Sequence, residues 1–431
     1  MAPDSRSGYD RGMFNARNAQ SLRLTLSRGL CLLVLLLGVG CGAEDPEVAL
    51  VPATISDAPS PQDMSASDGG GVDEVGADDV DLEGDDTSFD ALTTDSATLA
   101  DPDAGDAPED VVMTDASVTA PEYPMDDSLR LNHMQALGTH NSYHQQPQAP
   151  LHPSHKYTMP SLTDQLELHG VRQFEWDLHL HLEGQLEVFH IPLIDQVSSC
   201  TLFLDCLEET RSWSDAHPGH APLVIWMELK DDVDTGVLGD YVPLAGHYDE
   251  VEATILEVFE PARILTPDEV RGDHETLPAA LEAEGWPTLG SLRGRLVFVF
   301  LEDGAHRDAY LEGSPNLEGK LLFVDSDDPS QGFAGFFKIN NAQGDFDLVQ
   351  ERVNAGFIVT SNVDDVDGTQ EGNAAKLAAS LESGTHFLST NYPAAKTDGS
   401  YYGEIPGGAP VRCNPLTAPA ECTANALEHL Q

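Results

Sequence analysis

The chain has 431 residues, with 74 acidic and 21 basic side chains and a formal net charge of −53. This balance argues against a nucleic-acid binder, which needs basic patches to displace phosphate counterions, and it makes hard cations the natural partners. The length allows one to three domains, but the composition leaves one stretch of about 300 residues able to bury a large core.

Residues 1–41 carry five Arg against Asp4 and Asp10, a local charge of +3. A short apolar run, residues 30–39, leads into Gly38-Val39-Gly40-Cys41. That is the layout of a secretory signal, too short to span a bilayer, and no apolar run long enough to do so follows. Small residues before a cysteine resemble a bacterial lipobox, in which Cys41 would be acylated, although Gly38 stands where Leu is usual. The expectation is an exported, membrane-anchored bacterial lipoprotein in the periplasm or at the cell surface, with plain secretion as the alternative.

Residues 42–127 hold 25 acids and no Lys or Arg, among Asp, Ala, Ser, Pro, Gly and Thr with few large apolar side chains. Such a segment cannot bury enough apolar surface to offset its ordering entropy, so it reads as a self-repelling, disordered tether. Pairs such as Asp78-Asp79 and Asp85-Asp86 raise the alternative of a weak calcium-binding stalk, but no fixed ligand spacing recurs.

Residues 128–431 form the third region, with 47 acids and 16 bases. Eight short apolar runs mark candidate strands: 134–137, 173–178, 223–229, 295–301, 321–324, 336–339, 357–360 and 387–389. Helical patterns lie between them at 162–168, 204–215, 253–259, 346–355 and 372–383. Strand and helix alternating around eight strands predicts an α/β fold, a (β/α)8 TIM-type barrel with its active site at the C-terminal strand ends. In an exported protein Cys200 with Cys206, and Cys413 with Cys422, read as two local disulfides; neither pair has the Cys-x-x-Cys spacing of a zinc site.

Polar residues cluster after the first strands. His140-Asn141-Ser142-Tyr143 follows the first; the second ends in Glu175-Trp176-Asp177, whose two carboxylates share a face by the period of two. A run from Leu186 to Phe189 delivers His190, and the third strand ends with Glu228 and Lys230 on one face. Asn141, Glu175, Asp177 and Glu228 are hard oxygen donors, which suits Ca2+ rather than a transition metal. Two histidines beside such a site can serve as acid, base or hydrogen-bond donor to a phosphate oxygen, and phosphodiester cleavage is the reaction this set fits best.

In that order, and continuing through Phe387-Leu388-Ser389-Thr390-Asn391-Tyr392-Pro393 and Arg412-Cys413-Asn414-Pro415, these residues resemble the calcium-dependent phosphatidylinositol-specific phospholipase C family in its bacterial form. The resemblance covers most of residues 130–424. It implies a barrel enzyme in which an inositol 2-hydroxyl attacks its own phosphodiester at a membrane surface, releasing diacylglycerol and an inositol phosphate. By the same resemblance Asn141, Glu175, Asp177 and Glu228 hold Ca2+, and His140 donates to the phosphoryl oxygen. His190 protonates the leaving glycerol oxygen, Glu228 doubles as base, and Lys230 binds substrate phosphate. Two departures stand out: Thr360-Ser361-Asn362 replaces an expected Arg-x-Arg, and Asn391 replaces the more usual Asp. The missing basic pair favours a singly charged headgroup over a polyphosphorylated one.

Several alternatives remain. A glycerophosphodiester substrate keeps the enzyme class, although its barrels open with His-Arg where this chain has His140-Asn141. A non-catalytic surface lipoprotein is a different class, which retention of both histidines and all four oxygen donors argues against. His179-x-His181 resembles the zinc pair of amidohydrolase barrels, but it follows the second strand rather than the first. Trp176 and Trp226 are expected on the face opposite the carboxylates, packed as core against the helices.

Overall fold

A computed structural model describes residues 123–231, 240–302, 304–396, 398–408 and 410–429. The signal, Cys41 and the acidic tether as far as residue 122 lie outside the described residues.

Each of the eight apolar runs forms a parallel strand of one barrel. These are β1 (Met134–Thr139), β2 (Val171–His181), β4 (Leu223–Leu229), β6 (Leu296–Phe300), β7 (Phe323–Val324), β8 (Phe336–Lys338), β9 (Ile358–Asn362) and β10 (Phe387–Thr390). They pair in the order β7-β6-β4-β2-β1-β10-β9-β8. The ring closes between β7 and β8 through one parallel bridge, Asp325 to Phe336, with Ser326 N–H donating to the Phe336 carbonyl at 3.0 Å. Strands buried on both faces read as unbroken apolar runs, and β6, Leu-Val-Phe-Val-Phe, is buried throughout.

Helices at Leu162–Glu167, Phe203–Ala216, Tyr248–Val258, Phe346–Asn354 and Gln370–Glu382 cover the barrel. Ser161 and Thr369 cap two of them by accepting from the Asp164 and Gly372 N–H groups, satisfying donors that the first turn leaves free. Among the described residues no helix connects β7 to β8. The short strands β3 (Leu186–Val188) and β5 (Tyr241–Val242) extend β2 into an antiparallel arm above the barrel, and β11 (Val411–Cys413) pairs with the start of β1.

Two expectations need revision. Residues 123–127, assigned to the tether by composition, pack on the barrel: Tyr123 is buried under the Arg293 guanidinium at 3.7 Å, and Asp126 pairs with Arg293 at 2.6 Å. Trp226, expected among the helices, lies inside the barrel. It precedes Glu228 by two residues and so shares its face, and its ring meets Phe336 of the far wall at 6.0 Å. Trp176 does face outward, edge-on to Phe203 of the covering helix at 5.9 Å. Below Trp226, Trp286 packs on Phe336 at 5.2 Å and donates to the Gly356 carbonyl, closing the floor at the N-terminal strand ends.

Both local disulfides form, Cys200 to Cys206 and Cys413 to Cys422. The first ties the end of the loop that follows His190 to the helix that starts at Phe203.

Candidate active site

The turn after β1 is latched to β2. Ser142 N–H donates to the Glu175 carbonyl at 3.0 Å and Ser142 Oγ accepts the Glu175 N–H at 2.8 Å. Asn141 sits in that turn with φ +46°, a left-handed conformation that Asn tolerates better than most residues, and it is buried with Oδ1 accepting from the Tyr143 hydroxyl at 3.4 Å.

Registry does the rest. Asp177 of β2 pairs with Glu228 of β4, and Glu175 lies two residues earlier on the same inward face. One carboxylate oxygen each from Glu175, Asp177 and Glu228 falls within 4.8 Å of the others. Two lysines stand among them. Lys230 Nζ reaches Asp177 Oδ2 at 3.1 Å and also binds Glu228, while Lys338 Nζ, from the end of β8 across the barrel, binds Glu175 Oε2 at 2.5 Å.

The electrostatics follow from this crowding. Burial raises the Glu175 carboxyl's pKa, but Lys338, His140 and Lys230 outweigh it and hold the group below the usual glutamate value. Asp177, fully buried, is pushed up to about 6 by desolvation, with Lys230 opposing and Glu228 reinforcing the shift. Burial works against the Lys230 charge, yet Asp177 and Glu228 hold its ammonium above an ordinary lysine. Beside the Lys230 ammonium, little else satisfies the two Asp177 oxygens. Three carboxylates sharing two ammonium groups leave a buried negative charge, which is costly unless a further cation offsets it. The convergent donors are all hard oxygens, so the residues present fit Ca2+.

His140 is oriented from behind. Its Nδ1 lies 2.9 Å from Asn391 Oδ1 and its Nε2 lies 3.7 Å from Glu175 Oε1. Asn391 Nδ2 donates to the Asp364 carboxylate at 2.9 Å, and Asp364 also accepts the Asn391 N–H at 2.8 Å. A carboxylate only accepts, so Asp364 fixes the amide with Oδ1 toward His140, whose Nδ1 must then donate. Beyond the β2 arm, His190 Nδ1 pairs with Asp195 Oδ2 at 2.8 Å. Burial raises Asp195, but the hydrogen bonds from His144 and His190 hold its carboxyl well below the usual aspartate value.

A cleft of about 520 Å³ opens over the barrel mouth, lined by His140, Glu175 and Glu228. Glu302, which accepts the Leu229 N–H beside Glu228, and Asp325, Lys338, Asn340 and Asn362 complete the lining. Asp325 bridges the β7–β8 seam by accepting the Lys338 N–H at 2.9 Å, and burial pushes its carboxyl up to about 7.

Every expected residue that is described thus lies at the C-terminal strand ends, with His190 at the rim. His179 does not join the site. It stacks on Phe189 at 3.8 Å with Nε2 on the Phe189 carbonyl, and burial lowers its pKa to about 4. His181 accepts the Glu183 N–H near the tip of the arm. Sequence reasoning missed Lys338, Asp364, Asp195, Glu302 and Asp325. The alternation that paired Glu228 with Lys230 also places Lys338 inward, two residues after Phe336; Asp195 carries no such local signal.

Residues 182–415 match the family model described as Ca2+-dependent phosphoinositide phospholipase C. The matched stretch includes His190, Glu228 and Lys230 and begins after the β1 and β2 residues. No curated protein is detectably similar in sequence. Among solved structures, the chain is similar to a calcium-dependent phosphoinositol-specific phospholipase C from Pseudomonas sp, at 18% identity over 67% of this chain and 97% of that one, TM-score 0.49. It is similar to a Ca2+-dependent phosphatidylinositol-specific phospholipase C from Streptomyces antibioticus, at 19% identity over 62% and 96%, TM-score 0.46. A Staphylococcus aureus phosphatidylinositol-specific phospholipase C also matches, at 14% identity over 64% and 92%, TM-score 0.40.

Proposed function

The chain belongs to the Ca2+-dependent phosphoinositide phospholipase C family and is a phosphodiesterase, and from that premise we propose that it cleaves phosphatidylinositol to diacylglycerol and an inositol phosphate. The observation that carries this reading is the convergence of His140, Glu175 and Glu228 on one cleft, with Lys338 opposite.

Asn141, Glu175, Asp177 and Glu228 would hold Ca2+, which when bound stabilises negative charge on the phosphoryl group and lowers the pKa of the attacking hydroxyl. Glu228, at the cleft surface, takes the proton of the inositol 2-hydroxyl. His140, with Nδ1 committed to Asn391, donates from Nε2 in its protonated form to a phosphoryl oxygen. His190, steadied by Asp195, protonates the departing glycerol oxygen. Lys230 and Lys338 present ammonium groups to the phosphate.

Glu302 and Asp325 in the cleft lining would repel further phosphates on the ring, which supports a singly charged headgroup. Leu193, 77% exposed, with Ile194 and Val197 forms an apolar loop directly after His190, and exposed Leu151 and Leu182 lie in neighbouring loops at the same end of the barrel. This favours a substrate presented by a lipid surface. The two disulfides are consistent with export to an oxidising compartment, where the Cys41 anchor would hold the barrel near a membrane.

The test is headgroup release from vesicles of phosphatidylinositol, from its bisphosphorylated form and from soluble glycerophosphoinositol, each with Ca2+ and with chelator. Turnover of phosphatidylinositol that needs Ca2+ is expected. Turnover of the soluble diester alone would move the assignment to a glycerophosphodiesterase, and turnover of no lipid or diester would support a non-catalytic surface protein.

A further inference from the structure

Asp195 does more than steady His190. It is 1% exposed, and three imidazoles surround it. His144 Nε2 lies 2.9 and 3.0 Å from its two oxygens, His190 Nδ1 lies 2.8 Å from Oδ2, and His155 Nε2 lies 3.9 Å from Oδ2. His155, at the end of a single turn of helix in the β1 loop, is buried, with Nδ1 lacking any partner and Nε2 beyond hydrogen-bond distance of Asp195. Its ring stands perpendicular to that of His190, with centroids 5.8 Å apart.

We propose that His155, His190 and Asp195 form a second cation site, for a transition-metal dication such as Zn2+, whose occupation arrests His190. One ligand atom from each falls within 4.8 Å of the others. Zinc bonds of about 2.0–2.1 Å place tetrahedral ligands roughly 3.4 Å apart, between the 2.8 and 3.9 Å separations present. Two imidazoles with one carboxylate suit zinc and disfavour calcium, whereas the all-oxygen set on β1, β2 and β4 does the reverse. The outer support is in place: His144 donates from Nε2 to Asp195 and is itself held by stacking on Tyr157 at 4.0 Å.

The arrest rests on the acid role proposed above for His190. A ring coordinated through Nδ1 cannot also carry a proton there. Its remaining proton, on Nε2, could be given up only by forming an imidazolate, so the ring cannot cycle through imidazolium and is no longer an effective acid for the leaving oxygen.

The experiment uses the whole chain at saturating Ca2+. Zn2+ is titrated against phosphatidylinositol turnover, and Co2+ binding is followed by visible absorption and equilibrium dialysis. Expected are one bound Co2+ that excess Ca2+ does not displace and a fall in turnover of about tenfold or more. In His155→Ala, zinc-free activity persists, while the metal needed for inhibition rises at least about tenfold and the Co2+ spectrum is lost. His155→Gln, which keeps bulk and loses the ligand, serves if the alanine variant does not fold. Inhibition relieved by excess Ca2+, or unchanged in the His155 variants, would overturn the proposal, as would no bound Co2+ in the wild type. Co2+ bound at His155 without loss of turnover would keep the site and remove His190 as the acid.

Discussion

Lys338→Met isolates the charge that β8 delivers to the site. The lysine and Glu175 are both nearly buried, with Nζ 2.5 Å from the carboxylate, so the variant leaves an anion inside the barrel with less compensation. Removing one partner of a buried pair costs about 3–5 kcal/mol. Proton uptake sets a ceiling: neutralising a carboxyl of ordinary pKa 4.5 at pH 7 costs about 3 kcal/mol. Without Ca2+ the variant should therefore melt roughly 6–12 °C below the parent, at about 2–4 °C per kcal/mol for a domain of this size. A bound dication supplies the missing charge, so saturating Ca2+ should recover most of that loss. By linkage, Ca2+ should bind the variant roughly 10- to 100-fold more tightly than it binds the parent. Melting curves in chelator and in Ca2+, with calorimetric titration of Ca2+, read both quantities. An equal loss of stability in both conditions, or unchanged Ca2+ affinity, would show that Lys338 does not share the calcium seat and would sink the reasoning.

Three further outcomes are expected. His140→Ala and His190→Ala should each lower kcat by about 10²–10⁴-fold while leaving the melting temperature of the barrel nearly unchanged; retention of full activity in either removes that residue from the chemistry. Asp177, raised to about 6 from 3.8, keeps in the folded state a proton that the unfolded chain has already lost between those values. Calcium-free stability should therefore fall as pH rises through that window, and Ca2+ affinity should fall as pH drops below about 6. Titration calorimetry in two buffers of different ionisation enthalpy detects the proton displaced by Ca2+, and its absence at pH 5.5 contradicts the assignment. Asp364→Asn frees the Asn391 amide to turn its Nδ2 toward His140. It should lower kcat by about tenfold and shift the pH profile with little change in KM; a KM effect alone refutes the positioning role.

Strand positions were legible because parallel strands buried on both faces leave continuous apolar runs, and all eight runs became barrel strands. The boundaries blurred where the signal is weak: β2 runs on to His181 as an antiparallel arm, and β7 is only Phe323–Val324. Motif order exposed the first half of the site, since His140 to Glu228 lie on consecutive inner strands. The second half stayed hidden for a physical reason. Lys338 and Asp325 are single polar residues at strand ends that only barrel closure brings opposite Glu175, and Glu302 is a lone acid just after β6. Trp226 was placed outside although the period of two puts it with Glu228. Interiors near the floor are apolar while the mouth is charged, so one inward face carries both characters along a single strand. Asp364 and Asp195 act through Asn391 and His190 over contacts that no local pattern encodes.

The charge balance acquires a mechanical meaning at this site. Glu175, Asp177 and Glu228 bring three negative charges, and Lys230 and Lys338 bring two positive ones, so the cluster without a metal is net negative. A phosphodiester carries one negative charge and meets repulsion there, reinforced by Glu302 and by whatever fraction of Asp325 is ionised. A dication among the carboxylates would turn the cluster net positive and leave the Lys230 and Lys338 ammonium groups able to bind phosphate oxygens. One excess positive charge matches one phosphodiester. Each additional ring phosphate would meet Glu302 and Asp325 in the cleft lining, and residues 360–362, where an arginine pair is expected, supply no base because they are Thr, Ser and Asn. Selectivity for a singly charged headgroup thus follows from the same arithmetic as calcium dependence. Glu302→Gln should therefore narrow the preference between the mono- and bisphosphorylated lipid forms without altering the calcium requirement; a loss of calcium response with unchanged headgroup preference would break the link.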